Sequence, residues 1–202
     1  MLFFKKEKRP PPLTPQEIVE AVFGSNTTVT TSFRCHTSEK FPFLSRWGSH
    51  AEAGYFVNGE YGELVFEFSI PLKIFDTERD YKFHHYGFVG SCLTLRHPFP
   101  SLRNTYAFSG KPFRKPDDET WVYNDKTKGV SIWSEYAQLS AEEMATVEKF
   151  ISWIEGGMSA MVSARYALFC KRDTISVVFW EPAFYHFESQ LDMLHDFLQV
   201  LS

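Results

Sequence analysis

The stretch KFHHYGFVGSCLTLRH, Lys82 to His97, gathers His84, His85 and His97 with Cys92. Imidazole nitrogens and thiolates are the ligands zinc prefers, and the same groups serve as bases and nucleophiles. Spacing limits them. On one unbroken strand His85 and His97 share a face but stand about 40 Å apart, at about 3.3 Å per residue. A hairpin turn at Gly90-Ser91 would place His84 opposite His97. Two histidines still fall short of the three or four protein ligands of a zinc site. The expectation is therefore no metal and no cofactor, with His84 and His97 kept as candidate binding residues.

Other reactive types are scattered. Cys35 and His36 are adjacent, and neighbouring side chains on a strand point to opposite faces, which argues for a structural thiol. Glu188, Asp192, His195 and Gln199 recur at steps of four, three and four, the donor types and the helical stripe a divalent cation would use. The solvated face of any amphipathic helix needs the same pattern, and that is the reading adopted. Glu63 and Glu67 fall on the wet face of a strand, where with Glu60 they serve solubility. Lys111, Arg114 and Lys115 form a small basic patch offset at once by Asp117 and Asp118. Gly-rich phosphate loops, the nucleophile elbow GxSxG and the zinc motif HExxH are all missing. No catalytic group is assigned. Aromatics supply 17% of the chain, with 21 Phe and five Trp. Some rings should line a binding surface, and Trp133 is the third candidate.

The elements that must position these groups follow from periodicity. TPQEIVEAVFGS reads as a short helix with a Thr14/Glu17 capping box, Pro15 in the first turn and Gly24 as the stop. TTVTTSFRC places Val29, Thr31, Phe33 and Cys35 on one side of a strand. Residues 36–53 read as irregular, a loop broken by Pro42 and Gly48 with room for one helical turn. Asn58-Gly59 predicts a tight hairpin turn. Beyond it Leu64, Phe66, Phe68 and Ile70 alternate with wetter residues until Pro71 ends the ladder. A brief strand at 105–108 follows, then a hairpin around 125–129. The clearest helix runs from 140 to 155, capped by Ser140 and Glu143. Met144, Val147, Ile151 and Ile154 form its stripe, and Glu142, Glu143, Glu148 and Lys149 its wet side. A strand pair around Lys171, Arg172 and Asp173 is apolar on both faces, so it belongs near a sheet centre. The last helix turns Phe187, Leu191, Leu194, Leu198 and Leu201 inward.

Strands mostly before helices predict an α+β fold, with mainly antiparallel sheet and the mid-chain and C-terminal helices laid on it. The organisation expected is a disordered tail at 1–13 and subdomains at 14–110 and 111–202, or one continuous domain. The cysteines, odd in number and without a CxxC pair, suit free thiols in the cytoplasm. No apolar run approaches the ~20 residues of a membrane-spanning helix, and the net charge of −4 argues against nucleic acid.

The order NGEYGELVFEFS, GFVGSCLTL, NTYAF, WVYNDKTKG, LSAEEMATVEKF, YALFC with ISVVFWEP, and a closing FES resembles the bacterial domain-of-unknown-function family 3137, over residues 54–201. The resemblance implies a fold and supplies no site residues. Members of that family often join a membrane through an N-terminal hydrophobic segment, for which this sequence has no counterpart. The function expected is a soluble, non-enzymatic binding module. Its partner would be a protein or a second copy of the chain, with no nucleic acid and no stable membrane insertion. The alternative is a metal-assisted hydrolase built from scattered His and Asp/Glu.

Overall fold

Capping chemistry sets the helices. The computed structural model describes residues 12–76, 87–96, 102, 104–111, 113–127, 129–157, 165–180 and 187–201. Helix α1 (Pro15–Phe23) opens on Thr14, whose backbone N–H donates to the Glu17 carboxylate at 2.7 Å while its hydroxyl accepts the Glu17 N–H at 3.3 Å. Gly24, at φ +88°, closes it. Two short pieces follow in the stretch read as irregular: α2 (Thr37–Lys40) and a 3-10 turn (Pro42–Trp47). Helix α3 (Ala141–Gly157) repeats the capping box, with the Ser140 N–H donating to Glu143 at 2.8 Å. That bond corrects the placement of Glu143 on the wet side: its carboxylate folds back over the helix end, and the residue is only 7% exposed. Helix α4 (Phe187–Leu201) ends the described chain.

Among the described residues nine strands form one antiparallel sheet. They are β1 (Thr28–His36), β2 (His50–Tyr61), β3 (Leu64–Phe75), β4 (Phe88–Arg96), β5 (Thr105–Ser109), β6 (Trp121–Thr127), β7 (Val130–Glu135), β8 (Arg165–Lys171) and β9 (Thr174–Trp180). Their order is β1-β2-β3-β4-β9-β8-β5-β7-β6. The architecture is α+β and dominated by its sheet. The β8–β9 pair sits mid-sheet, where strands apolar on both faces belong. β5, from residues 14–110, pairs with β7 and β8 from residues 111–202, so one sheet runs through both segments. Residues 1–11, most of the expected tail, lie outside the described residues.

Several local expectations give way to the sheet. Asn58 and Gly59 lie inside β2, and the turn falls at Gly62-Glu63, where Gly62 adopts φ +59°. A side chain at Gly59 would meet Thr27 at 2.3 Å, so this glycine permits close approach and makes no turn. β3 continues through Pro71 to Phe75. Ser32, at φ +55°, stands opposite Gly54, which stands opposite Pro71, so a line of irregular residues crosses three strands. On one side of that line Val29, Tyr55 and Ile70 pack with the α1/α4 core. On the other, Phe33, Ala53 and Leu72 pack on the reverse face. The expected single apolar side of β1 is thereby split. Gly90 and Ser91 are likewise no turn: β4 runs straight through them, and Gly90 leaves room for the Phe179 carbonyl.

Among the described residues the sheet carries its long helices on one face. Under α3, Ile151 shares a core with Leu168 and Val177. Under α1 and α4, Val19, Leu191, Leu194 and Leu198 close on Phe66, Phe68 and Leu95. The reverse face has no long helix among the described residues and is filled with rings instead. Phe43 of the 3-10 turn stacks on Phe169 at 4.5 Å, and Phe169 on Tyr106 at 4.5 Å. Trp47 meets Phe113 at 5.6 Å and Trp180 at 6.2 Å. Much of the aromatic excess is thus a second core, because large rings cover a sheet with few residues.

Candidate functional site

Between α3 and α4 the packing leaves a gap. Two cylindrical helices laid on one sheet face meet along a crease, and whether side chains fill it depends on their sizes. Here a cavity of about 320 Å³ remains. Phe68 of β3, Leu93 of β4 and Phe179 of β9 make its floor. The last turns of α3 supply Ser152, Trp153, Ile154 and Gly156, and α4 supplies Met193, Leu194 and Phe197. Among the described residues Asp196 is the one charged residue of the lining. The volume lies at the low end of the ~300–1,000 Å³ typical of small-molecule sites. Such walls reward apolar surface at about 0.8 kcal/mol per methylene, and the unbranched thioether of Met193 can adapt to its shape.

The polar surroundings are sparse. Lys149 Nζ lies 4.7 Å from the Trp153 ring centre, and the Phe150 ring meets Trp153 edge-on at 5.3 Å. His195 Nδ1 is 3.8 Å from the Asp196 carboxylate, and its Nε2 is 3.5 Å from the Tyr61 hydroxyl. Tyr166 donates to Glu155 at 3.2 Å, tying the end of α3 to β8. Burial, with Glu155 beside it, raises that phenol above its ordinary value.

Trp133, the one binding candidate from sequence among the described residues, is not at this cavity. His84, His85 and His97 lie outside the described residues. The Gly90-Ser91 turn that would have paired His84 with His97 does not exist, because β4 is continuous there. Trp133 is half-buried on the reverse face, 5.1 Å from the Tyr123 ring, and its Nε1 has no hydrogen-bond partner among the described residues. Glu67 is no solubilising residue: it is half-buried between Lys40 at 2.8 Å and Arg96 at 3.7 Å. Lys111, Arg114 and Lys115 are exposed. Among the described residues no three His, Cys, Asp or Glu side chains gather as a metal-binding group. Burial pushes the Cys92 and Cys170 thiols up to about 12, and burial with Glu39 raises that of Cys35. Thiols so disposed are poor nucleophiles.

Ser49, His50 and Asp76 come nearest to a hydrolytic constellation. The Ser49 Oγ is 2.9 Å from His50 Nδ1 and 3.0 Å from the Asp76 carboxylate. In a working triad the carboxylate orients the imidazole. Here it holds the serine, through the backbone N–H at 2.8 Å as well. The cluster closes the end of a strand pair and does not activate a nucleophile.

The cavity residues were missed because each looks like ordinary core. Their one signal is excess width: Trp153 lies beside the α3 stripe, and Met193 and Phe197 lie beside the α4 leucines. Compared with known protein families, with curated proteins and with solved structures, the chain matches none.

Proposed function

We propose that this chain is a non-enzymatic binding module that takes up a small, largely apolar molecule between α3 and α4. The observation that carries the reading is the apolar-walled cavity of about 320 Å³ at that crease. The inert thiols and the misassembled Ser49-His50-Asp76 cluster weigh against the hydrolase alternative. We further propose a cytoplasmic site of action, supported by three free cysteines, and kinship with the bacterial family that the segment order resembles. No helix among the described residues is long and apolar enough to cross a membrane.

Titration with the apolar dye N-phenyl-1-naphthylamine tests the reading. One saturable site per chain is expected, and Ser152→Trp, which plugs the mouth from an exposed helical position, should weaken it at least about tenfold. Absence of saturable uptake would overturn the reading, as would full uptake by the plugged variant.

A protein partner is a second reading, favoured by the β6 edge. There Tyr123 is 45% exposed and Tyr136 72%, beside half-buried Trp121 and Trp133. An open strand edge with rings beside it suits antiparallel pairing with a second copy. Sedimentation should then show a concentration-dependent dimer lost in Tyr123→Lys, whereas a monomer at every concentration would dismiss this reading.

A further inference from the structure

We infer that the molecule bound between α3 and α4 is an amphiphile with an apolar body of about ten carbons and a cationic, ammonium-type head. The inference rests on the binding reading above and adds the chemistry of the ligand. Size comes from the volume. About 320 Å³ equals the space of about ten waters at ~30 Å³ each, and a methylene is of similar bulk. Walls of Trp153, Ile154, Met193 and Phe197 offer an apolar body mostly hydrocarbon and ring surface to pack against.

The head is set by charge. Among the described residues Asp196 is the one acidic side chain bounding the cavity, and it is 80% exposed, so it stands where the ligand would meet water. Among the described residues its ionisable neighbour is His195, at 3.8 Å. The two wall helices together carry seven carboxylates, Glu142, Glu143, Glu148 and Glu155 on α3 and Glu188, Asp192 and Asp196 on α4. Lys149 is their one lysine, and they have no arginine. Glu188, Asp192 and Asp196 follow one another at four-residue steps, so they line one side of α4 up to the mouth. The potential there is negative, and it attracts a cation while repelling a fatty carboxylate. Lys149 does not reverse this, because it lies over the Trp153 ring and does not bound the cavity.

Displacement of bound N-phenyl-1-naphthylamine by decylamine, decanol and decanoate at pH 7 and low salt is the test. Decylamine should compete about fivefold better than decanoate, the upper end of what one exposed charge contact gives. Asp196→Asn should bring the two within about twofold, and Asp196→Lys should reverse their order. Lengthening the amine should tighten binding about fourfold per methylene up to about ten carbons and then level off. Equal competition by the three headgroups, with the dye still bound, would overturn the cationic head and leave the cavity reading standing. Preference for decanoate would assign the head to Lys149 and overturn it too. Failure of the dye to bind at all would sink both.

Discussion

At the scale of single residues, burial predicts which side chains the fold cannot lose. Ile151 is fully buried against the sheet, whereas Glu142 is exposed in the first turn of the same helix. Ile151→Ala should cost about 2–5 kcal/mol, as buried isoleucine truncations do, and Glu142→Ala well under about 1 kcal/mol. Urea melts of the two variants check this, and equal midpoints would mean that the α3 stripe does not face the core. The thiols make a second prediction. Cys92 and Cys170 ionise at about 12 in the folded protein against an ordinary value of 9.0. Folding therefore retains protons that the unfolded chain gives up above about pH 9. Their contribution is fully present below that pH and is lost as pH rises toward 12, at about 1.4 kcal/mol per pH unit for each thiol. Cys92→Ala should flatten that alkaline slope in pH-dependent melts. A slope identical in wild type and variant would contradict it. Residue roles were legible where one side chain answers to its own neighbours in sequence, as in both capping boxes. They were illegible where the partner is remote, as for Glu67, whose role depends on Lys40 and Arg96 being folded against it.

At the scale of elements, the line Ser32–Gly54–Pro71 decides how β1, β2 and β3 exchange their faces. A Cβ at Gly54 would lie 2.8 Å from Pro71 Cδ. Gly54→Ala should therefore destabilise by about 1–3 kcal/mol, as overpacking does. Pro71→Ala, which removes the opposing ring atoms, should recover part of that loss. A double-mutant cycle measures the coupling, and strict additivity would show that the two strands do not constrain each other there. Helix positions and the hairpins at 125–129 and 171–173 were readable because period and turn chemistry are local signals. The Asn58-Gly59 and Gly90-Ser91 turns misled for a shared reason. In this sheet these glycines, and Gly54, are demanded by close approach of a neighbouring chain segment, which no local pattern displays. Pro71 misled similarly, since a proline at a face-switching irregularity interrupts pairing without ending the strand.

At the scale of the whole molecule, one sheet shared by both halves of the chain implies one cooperative unit. Tryptophans lie in both halves, at positions 47, 121, 133, 153 and 180. Urea unfolding followed by tryptophan fluorescence and by far-ultraviolet circular dichroism should give coincident transitions. Two separated transitions would mean that 14–110 and 111–202 unfold independently. The fold class was legible from alternating strands and two strong helices, because both are counted along the chain. The cavity was not, because it exists only where α3 and α4 meet over β3, β4 and β9. The central claim is that this crease is where the protein binds. Methyl-labelled methionine spectra test it most directly, since Met193 lines the cavity and Met144 packs against the core elsewhere on α3. Titration with N-phenyl-1-naphthylamine should shift the Met193 methyl resonance saturably, at one ligand per chain, and leave Met144 in place. An unmoved Met193 resonance at saturating dye would contradict the account.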